Sequence, residues 1–262
     1  MKKDPLNSHH SPQQPLDWVA FLGITIAFLS ALAAVSSGLG HRLGAWHFTT
    51  GFLILRWATF GALVAIVLSL WGVFRTRPQR KRRGIWHALL GLVLSLTLVS
   101  IPLYWLLMAR SVPPIHDITT DTENPPAFSV LLPVRAEAPN PSRYGGPSIA
   151  AQQQKAYPDI KPLHLPLSPK TTLDEALAIA RGLGWKVIAV ESRETKKDGI
   201  RLEATDTTLW FGFSDDIVVR ITPSDDGSRV DIRSVSRVGR SDVGTNARRI
   251  RTFLAALKKR AT

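Results

Sequence analysis

Between two long apolar runs stands Arg75-Thr76-Arg77-Pro78-Gln79-Arg80-Lys81-Arg82-Arg83, with six basic residues and no acid. Basic residues in a short loop stay on the cytoplasmic side of a bilayer. If the flanking runs cross a membrane, this loop sets the direction of every other segment. Everything beyond residue 110 then emerges on the far face.

The runs are long enough to cross. Trp18 to Gly40 carries no charged residue, and a helix needs about 20 apolar residues to cover the hydrocarbon layer. A second run ends at Phe74, and a third spans Gly84 to Ala109. The pattern predicts three transmembrane helices over about 18–39, 53–74 and 85–108, within a membrane region of 17–110. Trp18, Trp57, Trp71, Trp86, Tyr104 and Trp105 fall near the ends, as an interfacial aromatic belt does. Residues 1–16 are polar and read as a mobile cytoplasmic tail. Ala31-Leu32-Ala33 also resembles a signal-peptidase site; cleavage there would leave the direction of the later spans unchanged. Arg56 lies about one turn into the second span, where it either marks a functional site or snorkels to the outer headgroups. Gly61-x-x-x-Ala65 and Gly91-x-x-x-Ser95 offer small faces for helix contact, and Pro102 is placed to bend the third helix.

The formal net charge of +13 is largely this topology signal. Residues 1–109 carry ten Lys/Arg against two acids, and residues 110–262 carry twenty-three against eighteen. A surplus so small gives no nucleic-acid footprint, and no nucleic-acid partner is expected. The absence of cysteine excludes disulfides, thiolate zinc sites and thiol nucleophiles.

Twelve of the eighteen prolines fall in residues 113–169. Proline lacks an amide donor and is kept out of helix and sheet interiors. The segment 111–169 therefore reads as extended and irregular, lying on a folded domain or joining it to the bilayer, with a short helix over 148–156. Within it, His116, Asp117, Asp121 and Glu123 combine one imidazole with three carboxylates. Such a set can hold a divalent metal or perform acid–base chemistry. The local alternative is that Asp and Thr side chains cap turns.

Residues 170–262 alternate as an α+β domain does. Thr172-x-x-Glu175 has the form of a capping box ahead of an apolar helical stripe. Trp185–Ser192 reads as a strand, and Asp198-Gly199 as a hairpin turn. Ile200, Leu202 and Ala204 alternate with Arg201, Glu203 and Thr205, giving one buried and one wet face. That strand could continue through Trp210-Phe211-Gly212-Phe213, whose rings then pack in the core or meet lipid or a partner. Ile217 to Ile221 and Val230 to Ile232 are two more strands, joined at Asp226-Gly227, and a helix covers about 244–259. The expected architecture is a membrane all-α N-terminal region with three transmembrane helices. An α+β C-terminal domain follows, with a four-stranded antiparallel sheet and two main helices.

Arg237, Arg240, Arg248 and Arg249 surround the start of the last helix, with Ser241 and Asn246. Helix N-termini attract anions and arginine binds phosphate bidentately, so these six form a candidate ligand site for an anionic lipid headgroup. The competing reading has Asp242 cap the helix while the arginines are solvated or paired with Asp215, Asp216 and Asp231. Gly239-x-Ser241-x-x-Gly244 is one residue too long for a nucleophile elbow, so no catalytic residue is assigned. No cofactor or metal motif is present.

Two strings carry a resemblance. Pro113-Pro114-Ile115-His116-Asp117-Ile118-Thr119-Thr120-Asp121-Thr122-Glu123-Asn124-Pro125-Pro126-Ala127-Phe128 is similar to one signature of the bacterial and plastid family called domain of unknown function 1499. Ser236-Arg237-Val238-Gly239-Arg240-Ser241-Asp242-Val243-Gly244-Thr245-Asn246-Ala247-Arg248-Arg249-Ile250-Arg251 resembles the second. The resemblance implies an envelope-associated, membrane-tethered domain and brings no activity. The expected address is the inner (cytoplasmic) membrane, with several spans and an extracytoplasmic C-terminal domain. The expected partners are the lipid bilayer and an anionic lipid or envelope protein. The favoured role is binding, and the rival is a metal-assisted hydrolase using His116, Asp117, Asp121 and Glu123.

Overall fold

The computed structural model describes residues 14–192 and 199–261. Most of the expected tail, and Asp198 of the expected Asp198-Gly199 turn, lie outside the described residues. The rest divides into two compact units between Tyr104 and Trp105.

Three helices are each long and apolar enough to cross a membrane: α1 (Trp18–Arg42), α2 (Phe48–Arg75) and α3 (Ile85–Ser111); the first unit holds α1, α2 and α3 as far as Tyr104. Helix α2 starts five residues before the expected 53, so Arg56 stands about two turns in, exposed on the helix surface. The helices meet through small residues. Ala20, Gly23, Ala27, Ser30, Ala34 and Ser37 of α1 are buried, as are Ala58, Ala62, Ala65, Ser69 and Gly72 of α2. A β-carbon on Gly72 would collide with the Ala20 backbone, and one on Gly91 of α3 would press on the Ile24 backbone. Only glycine permits approaches this close, and in lipid close packing replaces the absent hydrophobic drive between helices. Large side chains such as Phe28, Leu32, Trp57, Val67, Trp86 and Val93 point outward. Bulk outside and small residues inside is the arrangement that a hydrocarbon solvent favours.

The basic loop carries its own counterion. Asp17 caps α1, its Oδ1 accepting from the Val19 and Ala20 amides at 3.0 and 3.2 Å. Its Oδ2 accepts from Arg75 Nε at 2.9 Å and Arg82 Nη1 at 3.2 Å. The Asp17 amide donates to the Arg83 carbonyl, and the Arg83 amide to that of Pro15. The end of the tail is thereby strapped to the loop.

The second unit centres on one antiparallel sheet. Its strands are β1 (Asp117–Thr119), β2 (Leu163–Leu165), β3 (Lys186–Ser192), β4 (Ile200–Thr207), β5 (Ser214–Ser224) and β6 (Gly227–Ser236). The order is β1-β6-β5-β4-β3, and β2 also pairs with β6. The sheet therefore has six strands and not the expected four. The two missed strands are three residues long and lie among prolines. The long β6 recruits them end to end along one edge, β2 against Ser228–Val230 and β1 against Arg233–Val235. Gly227 leaves no room for a β-carbon beside the Leu165 carbonyl, and its φ of +138° suits glycine alone.

Four helices accompany the sheet: α4 (Leu132–Arg135), α5 (Pro147–Ala156), α6 (Pro169–Gly182) and α7 (Thr245–Arg260). Helices α6 and α7 cover one face. Ile179 and Ala180 of α6 and Ile250, Phe253 and Leu257 of α7 join Leu202, Val219, Ile221 and Ile232 in the core. Trp185 stacks on Phe253 at 5.2 Å. Burying each such side chain is worth roughly 1.5–3 kcal/mol. The N-cap of α6 is Ser168, which accepts from the Thr171 amide, and not Thr172 of the expected capping box. Thr172 is buried inside the helix, 2.8 Å from Ser228 Oγ.

The opposite face is not wet. Residues 120–146 lie across it, and Phe128 and Leu131 pack on Val218 and Val235. The Pro-rich segment is thus the second covering layer. The strand expected to run to Phe213 stops at Thr207. Thr208 closes a tight loop there: its amide donates to the Phe213 carbonyl, its carbonyl accepts the Gly212 amide, and its hydroxyl accepts the Phe213 amide. Phe211 is buried and stacks on Phe213 at 5.3 Å.

Candidate functional site

The second face shows why so many ionisable residues fall in the two strings. Antiparallel register puts Asp117 opposite Val235 and Thr119 opposite Arg233, all on that face. The Arg233 guanidinium grips Asp117 bidentately, at 2.8 and 2.7 Å. Its remaining donors reach the Pro126 and Ser142 carbonyls. Such a fork-to-fork pair keeps both buried charges satisfied. Glu203, 1% exposed, accepts the backbone amides of Ser129 and Leu131. Asp216 accepts from Arg135, Arg237 and Thr205. Burial pushes its carboxyl up, but those hydrogen bonds and the Arg237 charge outweigh it and hold the group below the ordinary range. Arg135 also holds the Asn140 and Pro141 carbonyls. A segment rich in proline has few amides to donate, so side chains anchor it.

The four-residue cluster does not assemble. Asp117 is spent on Arg233. Asp121 Oδ1 accepts the Glu123 and Asn124 amides in a local turn, while its Oδ2 meets Arg220 and Arg229, which also hold Asp231. The Glu123 side chain is exposed. His116 Nδ1 lies 3.4 Å from the Arg240 carbonyl. Among the described residues, no three His, Asp or Glu side chains come together to hold a metal. The rival metal reading is therefore corrected: Asp117 and Asp121 serve the fold, Asp121 by closing a turn as the local alternative has it.

The second group of candidates separates into inner and outer members. Arg249 reaches Asp206 at 2.8 Å and Asp215 at 2.7 Å, and also donates to Asn246 and Ser234. Asn246 is buried, donating to the His116 carbonyl and Ser236. Arg237 is held by Asp216. Ser241 Oγ accepts the Val243 amide. The N-terminal amides of α7 already have an anion: Asp242 accepts from Gly244 at 2.9 Å and Asn246 at 2.7 Å. Burial pushes the Asp242 carboxyl up, against the pull of those two amides. Val243, between them, adopts φ +53°, a costly conformation for a β-branched residue. Arg240 and Arg248 remain, both exposed and with no carboxylate in ion-pairing range among the described residues.

All these residues lie at one end of the sheet, where β1 starts and β6 ends. The same end carries the β4–β5 loop, with Leu209 at its tip, 84% exposed. Sequence reading singled out the neighbouring rings and passed over Leu209. The available signal was a leucine in a turn bounded by Thr208 and Gly212. Arg135 and Arg233 were missed and Glu203 was placed on a wet face; for Glu203 and Arg233, charges at alternate strand positions facing a proline-rich partner were the clue.

The family described as "Protein of unknown function (DUF1499)" matches residues 117–257. No curated protein and no solved structure matches the chain.

Proposed function

The chain belongs to that family of unknown function, and from this premise we propose a membrane-tethered binding module that recognises an anionic group of the cell envelope. The three spans hold the chain in the inner (cytoplasmic) membrane. The loop Arg75–Arg83 stays in the cytoplasm, and the domain stands outside it. One observation carries the ligand class. Arg240 and Arg248 stay exposed at the end of the sheet where the chain enters the domain, whereas most neighbouring arginines are paired internally. Guanidinium groups free of carboxylates suit phosphate or carboxylate ligands. Arg237, Ser241, Asn246 and Arg249 support that surface from beneath and do not themselves reach the ligand.

The test is native mass spectrometry of the full chain released from nanodiscs containing both zwitterionic and anionic lipids. The wild type is expected to retain anionic lipid, and the Arg240→Ala, Arg248→Ala double variant several-fold less. Equal retention by both proteins would remove the arginines from the reading.

A further inference from the structure

We infer that the Thr208–Phe213 loop rests on the bilayer that the chain itself spans, with Leu209 in the headgroup–acyl boundary and Arg240 and Arg248 at headgroup level beside it. This deepens the reading above and rests on its membrane anchorage.

Leu209 is more exposed than any other large apolar side chain of the described domain. It is held out by a closed loop: the Thr208 amide donates to the Phe213 carbonyl at 2.8 Å, Thr208 Oγ1 accepts the Phe213 amide at 2.9 Å, and Phe211 is anchored in the protein. Trp210 packs edge-on against Phe211 at 5.1 Å. A rigid turn that presents leucine beside tryptophan has the chemistry of an interfacial anchor.

The chain path names the occupant. Helix α3 ends at Ser111 and β1 begins at Asp117, so the connection spans at most about 20 Å. The last turns of α3 belong to the same compact unit as the sheet. Val112 lies beside Gly244 at the start of α7, and the Asp242 amide donates to the Ile115 carbonyl at 3.1 Å. The chain therefore enters the domain at the end of the sheet that carries β1's start, α7's start and the β4–β5 loop. The charge distribution agrees. Arg110, Arg240 and Arg248 stand exposed toward this end, whereas the other end mixes exposed Asp225 and Asp226 with Lys258 and Lys259 at the end of α7. A basic, leucine-tipped end on a short tether matches an anionic lipid surface.

The chain has no cysteine, so a single thiol can be placed without background. Leu209→Cys in the full chain is labelled with an environment-sensitive fluorophore, and Asp226→Cys serves as the control at the opposite end. Both are reconstituted into vesicles of phosphatidylcholine, alone or mixed with phosphatidylglycerol, with or without acyl-chain nitroxide lipid. The position-209 label should be quenched several-fold more by the nitroxide lipid than the position-226 label, and shielded from aqueous iodide. Equal iodide access at both positions overturns the proposal. So does shielding without nitroxide quenching, which would mean that protein and not lipid covers Leu209. Quenching that is the same with and without phosphatidylglycerol, and unmoved by Arg240→Ser with Arg248→Ser, upholds the bilayer contact while removing the anionic-ligand reading.

Discussion

Arg233 and Asp117 are the residues on which the second face depends. The pair is buried, bidentate, and hydrogen-bonded onward to the Pro-rich layer. Removing one partner strands the other charge in a low-dielectric setting, which typically costs about 3–5 kcal/mol. Arg233→Met should lower the stability of the full chain in detergent by that order, read from denaturant or thermal unfolding. A loss below about 1 kcal/mol, the range of surface pairs, would contradict the burial. Asp216 gives a second residue-level test through pH. Its folded carboxyl lies below its unfolded value, so the folded state prefers the ionised form. Its contribution is complete above the ordinary carboxylate value of about 4 and is lost as pH falls through the depressed folded value. Asp216→Asn should flatten the acid limb of the stability–pH curve below about pH 4 and leave the shape near neutrality unchanged. An acid limb identical to wild type would assign the linkage elsewhere.

At the scale of elements, the start of α6 separates pattern from geometry. Thr172 and Glu175 have the spacing of a capping box, yet Ser168 caps the helix, followed by Pro169 at its first position. Glu175 is instead half of an exposed pair with Arg260. Ser168→Ala should therefore cost about 1 kcal/mol and Glu175→Ala under about 0.5 kcal/mol, compared by thermal unfolding. The reverse ranking would restore the capping box. Strands β4, β5 and β6 were legible because their apolar face alternates cleanly and packs on α6 and α7. Strands β1 and β2 were not, since three residues between prolines carry no period of their own. Even the free edge of β1 is closed by a side chain: Gln153 accepts the Thr119 amide and donates to the Thr119 carbonyl. The wet face assigned to Glu203 failed for the same reason. Alternation separates the two faces of a strand but does not reveal what covers each.

For the whole molecule, the proposed direction rests on the basic loop between the second and third apolar helices. Arg75 and Arg82 are tied to Asp17, so the loop can lose other charges without losing that strap. Replacing Arg77, Arg80, Lys81 and Arg83 with Gln should let a fraction of chains insert inverted. An alkaline phosphatase fused after Thr262 should be active on the wild type and lose activity in proportion on the variant. A wild-type fusion active only in the cytosol would reverse the proposed address and with it the envelope ligand.

The amino-acid sequence by itself determined the three long apolar helices and the positions of α6, α7 and the long strands. Each is a local, periodic property: the length of an apolar run, or a repeat of two or of about four. Folding alone decided which carboxylates meet which arginines. Ion pairing depends on Ångström-scale positions of residues about 100 apart in the chain, as with Asp117 and Arg233. It thereby decided that the most suggestive acids hold the fold together, and that Leu209, Arg240 and Arg248 are left facing outward.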